Sequence, residues 1–211
     1  MATLNQESRW PSILSFIAVG SLYLALPPAL TPGPNWLLLV ILAGLLVPAI
    51  HLHHTGQHRA NEYLGFLLSG LITMALLWSL GALIAGLPAH RESPVVLLRS
   101  AGALWAANVL VFASWYWRLD AGGPRQRDLR GSHAEGSFLF PQMTTQFAGS
   151  TRRPWKPGFV DYLFLAFNTS TAFSPTDVSP LTQWAKLLMM IQSAMSLGTI
   201  VILSARAVNI L

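Results

Sequence analysis

The stretch FVDYLFLAFNTSTAFSPTDVSP at residues 159–180 decides the fold. Its apolar part, Asp161-Tyr-Leu-Phe-Leu-Ala-Phe167, is far shorter than the about 20 apolar residues that cross a bilayer. A polar run, Asn168-Thr-Ser-Thr171, and a tip, Thr171-Ala-Phe-Ser-Pro-Thr-Asp177, come next, and a long apolar helix over residues 184–211 follows. A segment that enters an apolar layer and is too short to leave on the far side must turn back. Non-helical backbone at membrane depth is tolerated only where protein buries it or where it lines a water-filled cavity. Residues 159–180 therefore predict a re-entrant pore helix and loop ahead of the last helix.

The rest of the chain agrees with an apolar setting. Of 211 residues, 53% are hydrophobic and only 10% charged, which places the chain in the membrane class rather than among soluble domains. Apolar runs at residues 10–26, 36–52, 63–87, 95–117 and 184–211 predict five transmembrane helices and an all-α membrane protein. Two regions follow: a three-helix membrane region over 1–94 and a pore-like domain over 95–211. The second divides into an outer helix 95–117, a basic loop 118–158, a pore helix and loop 159–180 and an inner helix 181–211. Pro27 and Pro28 end the first run early, but they are poor company for a small-residue cleavage site, so it reads as a span and not as a cleaved leader. Trp10, Trp36, Trp115, Trp117 and Trp184 fall near span ends, where an amphipathic ring favours the headgroup zone. Trp78 and Trp105 do not, and are expected between helices. The absence of cysteine excludes disulfides and cysteine-ligated metals.

From Leu163 to Leu187 the chain resembles, without a gap, the pore domain of tetrameric potassium channels. In that family an outer helix, a pore helix, a T-V-G-Y-G-D filter and an inner helix follow one another. Thr169 and Thr171 fall on pore-helix threonines, Asp177 on the filter's last aspartate, and Pro180 and Thr182 on the P-x-T after it. Trp184-Ala-Lys-Leu187 falls on an aromatic, small, basic, leucine run. The resemblance implies a homotetrameric ion channel with a pore loop made by Thr171, Ala172, Phe173, Ser174, Pro175, Thr176 and Asp177. The ending Phe167-Asn-Thr-Ser-Thr-Ala-Phe-Ser-Pro-Thr-Asp177 is also similar to a family of uncharacterised small bacterial membrane proteins, which implies a bacterial inner membrane.

One departure changes the expected selectivity. Where the channels carry Val-Gly-Tyr-Gly, this chain has Phe173-Ser-Pro-Thr176, so both filter glycines are lost. Glycine reaches positive φ freely, whereas β-branched threonine does so only as an outlier and proline is held near a φ of about −65°. Stacked carbonyl rings are not expected. A permeating ion would meet hydroxyls and a ring of Asp177 carboxylates, giving weak selectivity and no preference for potassium. The partial negative ends of four pore helices, near Ser170 and Thr171, and the charge of Asp177 favour cations, while Lys186, within three helical turns, is placed to pair with Asp177 and cancel much of that field. A non-conducting scaffold and a small-solute carrier remain alternatives from other classes.

Basic residues set the orientation. Arg9, Arg59 and the 118–157 loop, which holds Arg118, Arg125, Arg127, Arg130, Arg152, Arg153 and Lys156, fall on one side of a five-span chain. The positive-inside rule puts that side, with the N-terminus, in the cytoplasm. The pore loop then enters from the cytoplasm, inverted relative to potassium channels. The loop itself reads either as a solvated connector or, through Phe138, Leu139 and Phe140, as an interfacial or intersubunit contact. A net charge of +5 that derives largely from it points to anionic lipid headgroups, not to nucleic acid.

Polar residues on the last helix, Gln192, Ser193, Ser196 and Thr199, step along one face at intervals of three and four. They either line a pore or allow close helix approach in a bundle. Asn108, near the middle of the fourth span, is expected to make an interhelical amide bond. His51, His54 and His58 would share a helix face and suit a transition metal, an interfacial hydrogen-bond set or a pH sensor, although Gly56 interrupts that face. No cofactor is expected. No nucleophile elbow, zinc-protease motif or phosphate-cradling loop is present, and the few acids form no pair at catalytic spacing, so an enzyme is not expected.

Overall fold

The computed structural model describes residues 7–54, 58–86, 93–130, 136–144, 155–171 and 177–208, leaving aside the side chains of residues 50, 52–54, 58, 94 and 203–208. The chain is mostly helical. Helix α1 spans Trp10–Leu24, and a short turn ties it to α2, Asn35–His54. In that turn the Asn35 side-chain amide donates to the Leu26 carbonyl at 2.6 Å. Helix α3, His58–Gly86, starts earlier than its apolar run, because Arg59 and Glu62 extend it as good helix formers with exposed side chains. Ser93 caps α4, Pro94–Leu119, by accepting from the Val96 N–H, and proline at the first helical position suits its missing donor.

Three successive positive φ angles, at Ala121, Gly122 and Gly123, then turn the chain sharply into α5, Gly123–Arg130. Strand β1, Phe138–Leu139, and the one-turn α6, Pro141–Thr144, follow. Helix α7, Phe159–Thr171, opens with the Asp161 carboxylate accepting from the Gly158 N–H at 2.7 Å. Strand β2, Ser179–Pro180, pairs antiparallel with β1, and α8, Gln183–Val208, completes the fold.

Helix α4 is the axis of the bundle. It packs against α1, α3, α7 and α8, while α2 lies across α1 and α3, and α7 sits between α4 and α8. Small residues on α4, Ala101, Ala107 and Ala113, are fully buried and allow four neighbours to approach one helix. Three helical stretches are long and apolar enough to cross a membrane: Arg59–Gly86, Val95–Arg130 and Gln183–Ile202. Trp10–Leu24 and Asn35–Ala49 are shorter apolar helices. Large apolar side chains such as Leu14, Val40, Met74, Leu98 and Val201 cover the outside, as expected where lipid replaces water.

Two expectations need correction. Trp78 is 59% exposed on α3 and not packed between helices, whereas Trp105 is half-buried and meets the Phe167 ring edge-on at 5.6 Å. The basic loop is no solvated connector in its described part, and it is not reserved for a neighbour. Phe138 and Phe140 are buried in the chain's own core, because the β1 and β2 pairing carries them onto the aromatic ends of α4, α7 and α8.

Candidate functional site

The polar face of α8 meets the end of α7. Gln192 is fully buried, donates from Nε2 to the Ala166 carbonyl at 2.7 Å and accepts at Oε1 from the Tyr116 hydroxyl at 2.5 Å. Ser193, the next residue, and Ser196, about one turn on, donate to the carbonyls of Thr169 and Ser170 at 3.2 and 2.5 Å. Those carbonyls belong to the last turn of α7, where a helix lacks intrahelical donors. Thr199 bonds back to Met195 of its own helix. The Asn108 amide donates across to the Gln192 carbonyl at 3.3 Å, an interhelical bond, while its Oδ1 has no partner among the described residues. The sequence periodicity marked this face but not what covers it, which is α7 and α4 of the same chain.

These pairings run in step, 166 with 192 and 170 with 196, so α7 and α8 are parallel. Their starts lie together. The Phe138 ring lies 5.2 Å from Tyr116 at the end of α4, 6.4 Å from Tyr162 at the start of α7 and 5.8 Å from Trp184 at the start of α8. The Leu181 N–H donates to the Ser137 carbonyl at 2.8 Å. Both described ends of the 159–180 stretch are thus held at one end of the bundle. Thr171 is half-buried and Asp177 exposed, while Ala172, Phe173, Ser174, Pro175 and Thr176 lie outside the described residues. Lys186 is exposed as well, and no ion pair joins it to Asp177 among the described residues.

A polar lock that the sequence did not reveal fixes this end. Arg127 is buried and donates from Nη1 to the carbonyls of Trp117 and Asp120 at 2.9 and 2.8 Å. Its Nη2 pairs with the Glu7 carboxylate at 3.0 Å, and its guanidinium lies 5.3 Å from the Tyr162 ring centre. Asp120, also buried, accepts from the Tyr162 hydroxyl at 2.6 Å and the Ser137 N–H at 2.5 Å. The Trp117 indole N–H donates to Glu7 at 2.5 Å. Every charge here has partners, which is what a buried ionic cluster requires. The lock ties the N-terminal segment, the end of α4, α5 and the start of α7 into one unit. Glu7 and Arg127 stand 120 positions apart, and no local pattern joins them.

His51 is exposed on α2, and the side chains of His54 and His58 lie outside the described residues. Among the described residues no group of three potential ligands could hold a metal ion. No protein-family model, curated protein or solved structure matches the chain.

Proposed function

We propose that the chain is a pore-loop membrane protein that forms a homotetrameric ion channel, weakly selective and cation-preferring. The observation that carries this reading is the common anchoring of both ends of the 159–180 stretch beside parallel α7 and α8. At 1.5 Å per residue the 13 residues of α7 reach about 20 Å, short of a hydrocarbon core of about 30 Å. Such a helix, starting at the same end of the bundle as α8, suits a re-entrant element. Five spans accompany it, with α1 the shortest and accommodated by local thinning of the bilayer.

Helix α7 also exposes Val160, Phe164 and, beside Trp105, part of Phe167, a stripe at steps of four and three that the described residues leave open. A neighbouring copy would cover it in a ring. The resemblance to potassium-channel pore domains supports the same assembly, and the missing glycines argue against their selectivity.

One observation favours the non-conducting scaffold instead. The hydroxyl and amide groups of α8 that would wet a cavity are already bonded to α7 within the chain. Images of the purified oligomer down its axis, combined with cation flux into liposomes, separate the two. A four-fold ring with flux is the expected result. A monomer or dimer, or a ring without flux, would move the protein to the scaffold class.

A further inference from the structure

Two arginines at the basic end of the bundle differ sharply in how they are satisfied. Arg127 has a full set of partners, as described above. Arg118, the penultimate residue of α4, does not. Among the described residues its fully buried Nε lacks a hydrogen-bond partner, and its Nη2 donates to the Ser12 hydroxyl at 3.4 Å. The guanidinium lies 5.5 Å from the ring centres of both Phe16 and Trp117, and no carboxylate pairs with it among the described residues. It rests directly on the open face of Gly65, where a Cβ would come within 1.8 Å of Nη1. A cation held in a slot of rings and backbone with so few partners is costly unless an anion joins it.

There is room for that anion. Arg118 borders a cavity of about 300 Å³ between α1, α2, α3 and the end of α4. One part of its wall is polar, made by Arg9, Arg118, Asn61 and Ser12. The other is apolar, made by Ile13, Leu46, Ala49 and Leu68. A smaller pocket shares Arg9, Asn61 and Arg118 and is also lined by Arg125 and Glu62. Glu7 borders the larger cavity too, but Arg127 and Trp117 occupy its carboxylate. Arg9 lies in the field of two carboxylates, Asp128 and Glu7, whereas Arg118 lies in the field of Glu62, opposed by Arg9.

We propose that this cavity binds the phosphate group of an anionic phospholipid, with Arg118 and Arg9 on the headgroup and an acyl chain along Leu46, Ala49 and Leu68. Three features select a lipid over a free anion. The wall is half apolar, the site is flanked by Trp10 at the depth where tryptophan marks the headgroup zone, and it opens at the end of the bundle that carries the basic loop. Basic pockets between membrane helices on that side are suited to anionic headgroups. The inference is independent of whether the chain conducts ions.

The test uses the full chain in mild detergent. Retention of added lipid is measured by native mass spectrometry, and the unfolding midpoint is followed with phosphatidylglycerol, phosphatidylcholine or inorganic phosphate. Phosphatidylglycerol should be retained at one per chain and raise the midpoint, and the other two should not. Arg118→Gln should weaken retention at least about tenfold, the loss expected for one charge-assisted hydrogen bond. Arg99→Gln, an exposed charge at the far end of α4, should leave it unchanged. Ala49→Phe keeps every charge and fills the apolar half, so it should abolish retention while keeping the lipid-free midpoint, and it decides the matter if Arg118→Gln does not fold. Equal retention of both lipids, or wild-type retention by Arg118→Gln or Ala49→Phe, would overturn the proposal. A midpoint raised equally by inorganic phosphate would place a soluble anion there and overturn the lipid assignment.

Discussion

Replacing Gln192 by leucine tests whether the polar face of α8 looks into its own chain. The side chain is fully buried, and its Oε1 accepts from the Tyr116 hydroxyl at 2.5 Å while Tyr116 is itself fully buried. Losing the acceptor leaves a desolvated hydroxyl, which costs about 1–3 kcal/mol in a protein interior. Two facts hold the figure down. Interhelical hydrogen bonds in membrane proteins average about 0.6 kcal/mol in double-mutant cycles and reach about 1.7 at most. The Thr169 hydroxyl also lies within reach of Tyr116 as a substitute partner. Gln192→Leu should therefore cost about 2 kcal/mol, with the lost Nε2 bond to Ala166 included, and Tyr116→Phe about 1 kcal/mol. The double variant removes both polar ends together, so it should fall short of the sum by about 1 kcal/mol. Denaturant titration in mixed micelles, followed by helical circular dichroism, measures all three. Additive costs within about 0.3 kcal/mol would refute the pairing.

Arg127→Met should lower stability by about 3–5 kcal/mol, because it strands Glu7 and two backbone carbonyls, and adding Glu7→Gln should restore part of the loss; the same titration reads both. In reconstituted bilayers, reversal potentials should show little discrimination between sodium and potassium, and Asp177→Asn should abolish the preference for cations over chloride. A potassium preference of the kind given by a glycine-bearing filter would contradict the reading of Ser174, Pro175 and Thr176. Gly131→Cys, in a chain without other cysteines, should resist an impermeant thiol reagent in intact cells, and rapid labelling would reverse the assigned orientation.

What the sequence made legible was what local periodicity and length encode. A short helix at Phe159–Thr171, a long one at Gln183–Val208 and another at Pro94–Leu119 stand where the apolar runs placed helices. The polar stripe on α8 was visible because helical spacing needs only one segment. Its covering was not visible, because a hydroxyl suits a wet cavity and a neighbouring carbonyl equally well. The aromatic cap was misread for a related reason. Phe138-Leu-Phe140 is too short for any period, and only the pairing with β2, some forty positions later, buries it. Arg118 and Arg127 are equal as charges in a loop when counted for orientation, yet one is locked and the other faces a cavity.

The electrostatics at the tip of α7 shows how the two functional readings diverge on one structure. A helix C-terminus carries a partial negative charge because its last carbonyls lack donors. Here Ser193 and Ser196 supply donors to Thr169 and Ser170, so part of that field is answered before any ion approaches. Asp177 is different. It is a full charge, it is exposed, and the exposed Lys186 does not pair with it among the described residues. In a four-fold ring its carboxylate would recur at every subunit. Under the channel reading, cation preference therefore rests on the Asp177 side chain and not on the helix dipole that serves the resembled family. Under the scaffold reading, the same carboxylate is a solvated loop residue, and the α8 hydroxyls have completed their work by holding α7 in place.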